Sequence, residues 1–160
     1  MEQNHRRTIR FKLNGRNAIT EIATHETLLE VLRRDFSLFG GRESCGQGLC
    51  GCCTAIVDGI AVSGCLYLAA FVDGAEVTTV EGLASGDKLH PIQESFIANC
   101  GFQCGFCTPG FILMTKELLE RHPQPTTDEI RHYLSGNLCR CAAYPDIVRA
   151  VKAAAGEHNR

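Results

Sequence analysis

Polar and apolar residues alternate along Thr8-Ile9-Arg10-Phe11-Lys12-Leu13, and Asn14-Gly15 follows before Ala18 to Ile22 can return. A period of two interrupted by Asn-Gly predicts a β-hairpin with one buried face. The period then lengthens. Leu28, Leu29, Val31 and Leu32 make an apolar helical face, with Thr24 expected as its cap, Glu26 at its positive end and Arg33-Arg34 in its last turn. The stretch from Gly40 to Cys53 shows neither period and reads as a loop dense in glycine and cysteine. Thr54 to Val57, the Asp58-Gly59 turn and Ile60-Ala61-Val62 predict a second hairpin that runs on to Cys65, and one more strand is expected around Glu76 to Val80.

From about residue 84 the apolar positions recur at a period of roughly 3.6, which predicts helices at about His90 to Asn99, Pro109 to Arg121, Thr127 to Leu134 and Pro145 to Ala155. Gly101, Pro123-Gln124-Pro125 and Gly136 separate them. Thr108-Pro109 sets a cap before a proline at the first helical position, and Thr126-x-x-Glu129 has the form of a capping box. The change of period divides the chain into a β-rich part, 1–83, and an all-helical part, 84–160. The expected fold class is α+β. A part of about 80 residues or fewer needs a staple beyond its apolar core.

Composition narrows the function. The chain has 160 residues, 44% apolar and 21% charged, which excludes a disordered or fibrous protein. Sixteen Lys and Arg against 18 Asp and Glu leave a net charge of −2, so no basic field invites nucleic acid. No apolar run reaches the length of about 18 residues that a membrane span needs. The departure from ordinary usage is ten cysteines in a chain without tryptophan. The start, MEQNHRRTIR, sets no apolar stretch behind Arg6-Arg7, so no secretory or twin-arginine leader is expected and the expected location is cytoplasmic. In a reducing compartment clustered thiols are metal ligands or redox groups rather than structural disulfides.

Eight cysteines form two sets of four. Cys45, Cys50 and Cys53 follow C-x4-C-x2-C with Cys65 beyond, the spacing of plant-type [2Fe–2S] ferredoxins. Gly46, Gly48 and Gly51 let the backbone wrap tightly between the ligands. They also match a dinucleotide-binding fingerprint, but that motif must open a helix, whereas here a β-like run follows. The second set is the Cys104-x-x-Cys107 pair and the Cys139-x-Cys141 pair, separated by 31 residues. Spacing alone leaves a structural zinc site and an iron–sulfur cluster open for it. The six histidines are scattered and read as surface or structural groups, and eight well-placed thiolates make a Rieske centre, with its two histidine ligands, unnecessary.

The strings CGQGLCGCCT (Cys45 to Thr54), QCGFCTPG (Gln103 to Gly110) and GNLCRC (Gly136 to Cys141) resemble, in this order, the small iron–sulfur subunit of molybdenum hydroxylases, the xanthine dehydrogenase, aldehyde oxidoreductase and carbon monoxide dehydrogenase family. The resemblance covers nearly the whole chain. It implies an N-terminal β-grasp, plant-type ferredoxin-like domain and a C-terminal four-helix domain, each with one [2Fe–2S] cluster. It further implies an electron-transfer subunit of an oxidoreductase that hydroxylates a heteroaromatic, an aldehyde or a related small molecule with oxygen from water. Electrons would pass from a molybdenum-pterin cofactor in a large subunit, through the helical-domain cluster and then the ferredoxin-like one, to FAD in a medium subunit. The assembly would be a dimer of heterotrimers.

By the same resemblance Cys45, Cys50, Cys53 and Cys65 hold the cluster nearer the flavin. Cys104, Cys107, Cys139 and Cys141 hold the one nearer molybdenum, with Gln103 and Cys141 beside the pterin. No catalytic residue and no substrate site are expected in this chain. Ala142-Ala143-Tyr144 departs from the threonine and glycine that relatives often carry, and Cys52 stands where alanine is common. Cys52 and Cys100 read as small buried groups, with ligand exchange between Cys52 and Cys53 as the sharper alternative. Arg140, between two thiolates, either offsets cluster charge or meets the cofactor's phosphate region, or else is an ordinary solvated arginine. A freestanding ferredoxin-like carrier and a zinc-stapled structural protein are the competing functions.

Overall fold

A computed structural model describes residues 6–157; the start of the N-terminal stretch, with His5, lies outside them. β1 (Arg6–Leu13) and β2 (Arg16–Ala23) pair antiparallel along their whole length, Arg6 opposite Ala23 and Leu13 opposite Arg16. Asn14 and Gly15 both adopt positive φ, 51° and 76°, as the tight hairpin requires. The Asn14 side chain also ties this tip to the rest of the sheet: Oδ1 accepts from the Thr79 N–H at 2.8 Å and Nδ2 donates to Thr79 Oγ1 at 3.1 Å. Arg6 and Arg7 belong to β1 and pair with Glu21 and Asp73.

The cap of α1 (Leu28–Phe36) lies three residues later than the one expected at Thr24. Thr27 is the cap. Its Oγ1 accepts from the Glu30 N–H, and the Glu30 carboxylate accepts from the Thr27 N–H at 2.8 Å. The reciprocal box decides the start, because the residue three beyond Thr24 is another threonine and cannot return the bond. β3 (Thr54–Val57) and β4 (Ile60–Ser63) form the second hairpin, and β5 (Glu76–Thr78) completes a mixed sheet in the order β2-β1-β5-β3-β4. β5 runs parallel to β1 and antiparallel to β3. It stops short of Val80, which enters a 3-10 turn.

Ile9, Phe11 and Leu13 of β1, with Ile22 and Val77, bury one sheet face against Leu28, Val31 and Leu32 of α1. The other core gathers the helices α2 (Pro91–Ala98), α3 (Thr108–Arg121), α4 (Thr127–Tyr133) and α5 (Tyr144–Glu157). Thr126 and Glu129 form the capping box of α4 as the sequence predicts. At α3 the expectation fails: Cys107 is the cap, Thr108 is already helical, and its hydroxyl is buried without a partner. A loop thiol therefore stands at the head of α3.

β3 is buried on both faces, because α3 packs on the side away from α1. Glu117 fastens that contact. Its carboxylate, 5% exposed, accepts from the Ala61 N–H at 3.1 Å and pairs with Arg121 at 2.7 Å. Burial and the neighbouring Glu117 charge push the Tyr133 hydroxyl up to about 12. No described helix is long and apolar enough to cross a membrane.

Candidate metal centres

Three loops and one strand end supply the thiols, and all ten cysteines are free. Between Gly40 and Cys53 the chain has no regular structure. Gly46, Gly48 and Gly51 take φ of 62°, 72° and 66°, so the backbone turns repeatedly in the left-handed region. This folds Cys45 back on Cys50, so that the two thiols interact. The Gln47 N–H donates to Cys45 Sγ at 3.4 Å, and this bond, followed by the Cys50 thiol, draws the Cys45 thiol down to about 6. N–H groups aimed at sulfur favour the thiolate that a metal requires.

Cys53 leads into β3 and Cys65 follows β4, so the second hairpin brings the two together. The Cys65 N–H donates to Cys53 Sγ at 3.4 Å. Burial pushes the Cys53 thiol up to about 11.

The second set is built differently. Cys107 heads α3 and lies against Cys139, both buried, whereas Cys104 is exposed and meets the half-buried Cys141. The Phe106 N–H lowers the Cys104 thiol below its ordinary value, and burial raises that of Cys107 to about 12. The Ala143 N–H donates to Cys139 Sγ at 3.4 Å, and the Cys139 N–H donates to the Tyr144 hydroxyl at 2.9 Å. Gln103 is exposed beside the outer pair, in a face where Phe102, Phe106, Leu138 and Tyr144 also reach solvent.

Each set is thus two pairs of thiols. Two pairs are the donor set of two bridged irons, each with two thiolates.

The sets meet across one cavity of about 670 Å³, with Cys45, Cys50 and Cys52 on one side and Cys104, Cys107 and Cys139 on the other. Backbone closes the seam beside it. The Leu138 N–H donates to the Cys50 carbonyl at 2.9 Å, so a cysteine of the first set is bonded directly to the neighbour of Cys139 in the second. Asn137, 3% exposed, extends Nδ2 to the Gly51 carbonyl at 3.4 Å. Gly110 lies so close to the same carbonyl that a Cβ would collide with it.

Cys52 is in this seam, 3% exposed. Its thiol faces the Cys50 carbonyl, with Cys50 the first thiol it meets and Cys107 the next. Burial pushes it up to about 12, as for a small packed group rather than a nucleophile. Cys100, expected to be buried, is exposed, held at a left-handed φ of 52° where α2 ends. Arg140 is exposed and lines the shared cavity. His90 caps α2 through Nδ1 and His122 pairs with Glu129, so both are structural.

Sequence reasoning located the eight thiols but missed three groups around them. Asn137 and Gly110 are inside the motif strings and carried no sign of a contact between sets. Arg42, whose guanidinium lies 5.5 Å from the Phe106 ring centre, is a lone cation in a loop without periodicity.

Comparison with known proteins agrees with the geometry. Residues 11–84 match the 2Fe-2S iron-sulfur cluster binding domain and residues 79–152 the [2Fe-2S] binding domain. The chain is 47% identical to the nicotine 6-hydroxylase small subunit of Paenarthrobacter nicotinovorans, over 93% of this chain and 90% of that one. It is 43% identical to the aldehyde oxidoreductase iron-sulfur-binding subunit of Escherichia coli (strain K12), over 92% of this chain and 71% of the relative. It superposes on a chain of quinoline 2-oxidoreductase from Pseudomonas putida with a TM-score of 0.93 and 37% identity, covering 98% of both. The chain belongs to the family of small iron–sulfur subunits of molybdenum hydroxylases.

Proposed function

We propose that this chain carries electrons through two [2Fe–2S] clusters, from a molybdenum-pterin centre in a large subunit to FAD in a medium one, during water-dependent hydroxylation of a heteroaromatic, an aldehyde or a related small molecule. The observation that carries this is the arrangement of eight thiols as two sets of two pairs, with Cys45 and Cys50 of one set and Cys104, Cys107 and Cys139 of the other lining one cavity. Cys45, Cys50, Cys53 and Cys65 would hold one cluster in a β-grasp domain, 1–83. Cys104, Cys107, Cys139 and Cys141 would hold the other in a four-helix domain, 84–160. Bound there, the clusters supply one-electron acceptance and release.

The chain's own residues set the rest. The inner pair, Cys107 and Cys139, is buried on the side facing Cys50, and the outer pair, Cys104 and Cys141, opens to the surface. This polarity suits a relay with one end at a partner. Gln103, exposed beside Cys104, offers an amide to a pterin across a subunit boundary, and the exposed Phe102, Phe106 and Leu138 supply an apolar rim for docking. At the other set Leu49 and Leu66, 65% and 57% exposed, flank half-buried thiols and suit the flavin subunit. A dimer of heterotrimers in the cytoplasm, where thiols stay reduced, completes the reading.

Iron and acid-labile sulfide analysis with low-temperature EPR of the dithionite-reduced chain tests it. About four of each per chain and two distinct rhombic signals are expected for two such clusters. Two irons with one zinc and a single signal would return the helical part to a structural role. Purification without large and flavin subunits under gentle conditions would favour a freestanding carrier.

A further inference from the structure

Arg42 stands on the loop of the first thiol set, three residues before Cys45, yet its charge lies against the second. Its backbone N–H is fixed to the Cys52 carbonyl at 3.0 Å. From that anchor the guanidinium reaches over the ring of Phe106, 5.5 Å from its centre, and Phe106 is between the ligands Cys104 and Cys107. No carboxylate pairs with Arg42 among the described residues. Glu43, the next residue, turns its carboxylate toward Gly46, beside Cys45.

A guanidinium in solvent is mobile, and a planar cation stacked on an aromatic face is held. Adding an electron to a cluster adds a negative charge, and a fixed cation nearby stabilises the reduced form. We propose that Arg42, stacked on Phe106, is an electrostatic positioning residue that raises the reduction potential of the cluster held by Cys104, Cys107, Cys139 and Cys141. The charge is supplied from the opposite domain, so docking of the two domains sets the potential of the outer cluster. The proposal rests on the reading that the second thiol set holds a cluster.

The test is an EPR-monitored redox titration of the cluster-loaded full chain at low ionic strength, following each rhombic signal separately. In Arg42→Gln the reduced-to-oxidised ratio of the second cluster at fixed poise drops about fivefold, as expected for one exposed charge removed at this range. That is a shift of roughly −40 mV at about 59 mV per tenfold for one electron. The first cluster moves by less than half as much. Arg42→Lys, which keeps the charge, returns at least half of the shift, and Arg42→Met, uncharged but able to cover the ring, behaves like Arg42→Gln even if the latter fails to load. Equal shifts at both clusters, or a lysine variant indistinguishable from glutamine, would overturn the proposal. Absence of the second signal in the wild-type chain would instead defeat the cluster reading itself.

Discussion

Replacing Gly110 by alanine sets two effects of opposite sign against each other. Gly110 is in the first turn of α3 with ordinary helical backbone, and helix propensity alone makes alanine stabilising there by up to about 1 kcal/mol. The structure requires the reverse. A Cβ at this position runs into the Gly51 carbonyl oxygen and comes within 3.4 Å of the Cys52 Cα. Both obstacles are backbone, so no rotamer change relieves them. The oxygen is also committed elsewhere, accepting from Thr54 Oγ1 at 2.8 Å and from Asn137 Nδ2 at 3.4 Å. Either α3 or the ligand loop must retreat, and the Leu138 to Cys50 hydrogen bond beside them is strained with it.

Overpacking of this kind costs about 1–3 kcal/mol, near the upper end where backbone meets backbone, and a weakened hydrogen bond adds about 1 kcal/mol. After the propensity gain the net loss is about 2–3 kcal/mol. For a chain of this size that lowers Tm by roughly 5–10 °C. The assay is thermal unfolding of the cluster-loaded chain by circular dichroism, all variants at one scan rate because loss of clusters makes melting irreversible. Gly136→Ala is the control: its Cβ meets nothing and its backbone is ordinary, so it should stay within about 0.5 kcal/mol of wild type. A Gly110→Ala chain melting at or above the wild-type temperature would show that propensity governs the site and that the two ligand loops do not touch.

Three further outcomes follow from the same coordinates. Cys52→Ala should leave both EPR signals in place, and Cys53→Ala should lose the plant-type signal without rescue, because the Cys52 thiol faces the Cys50 carbonyl and Cys107; a residual signal that vanishes only in the double variant would contradict this. The Glu30 carboxyl is held below its ordinary 4.5, first by the Thr27 N–H and then by the Thr27 hydroxyl. Its stabilisation is complete above pH 4.5 and is lost as pH falls through the lowered value, so Glu30→Ala should flatten the acid limb of a urea stability profile. Thr126→Ala removes the cap of α4 and should cost about 1 kcal/mol in the same measurement, with Thr126→Ser restoring it.

Much of this fold was legible because its signals are local. The β1–β2 hairpin follows from alternation plus one Asn-Gly pair, and the start of α4 from a single capping box. The misplaced start of α1 shows the limit: Thr24 and Thr27 are equal as caps until Glu30 is considered, and only Thr27 has a carboxylate three residues on. Thr108 was misjudged for a non-local reason. Cys107 is drawn inward against Cys139, which makes it the cap and pulls Thr108 into the helix with its hydroxyl unpaired. Ligand spacing likewise marks which thiols belong to a set but not which are partners, since that depends on how a loop with three left-handed glycines closes.

The relation between the two sets had no sequence signal, and its physical basis explains why. What joins them is mostly backbone: the Leu138 N–H on the Cys50 carbonyl, and Gly110 against the Gly51 carbonyl. Backbone groups are the same at every residue, so pattern reading cannot find them; only the missing side chains at Gly51 and Gly110 leave a trace. A seam of this kind also has a mechanical consequence. Side chains change rotamer and let paired elements drift, whereas backbone contact with no intervening side chain fixes a separation. Cys50 and Cys139 each adjoin this contact, so the spacing between the two thiol sets is set where the chain has least freedom to vary it. Arg42 and Asn137 then act across a boundary whose geometry is already fixed, one through charge and the other through a hydrogen bond.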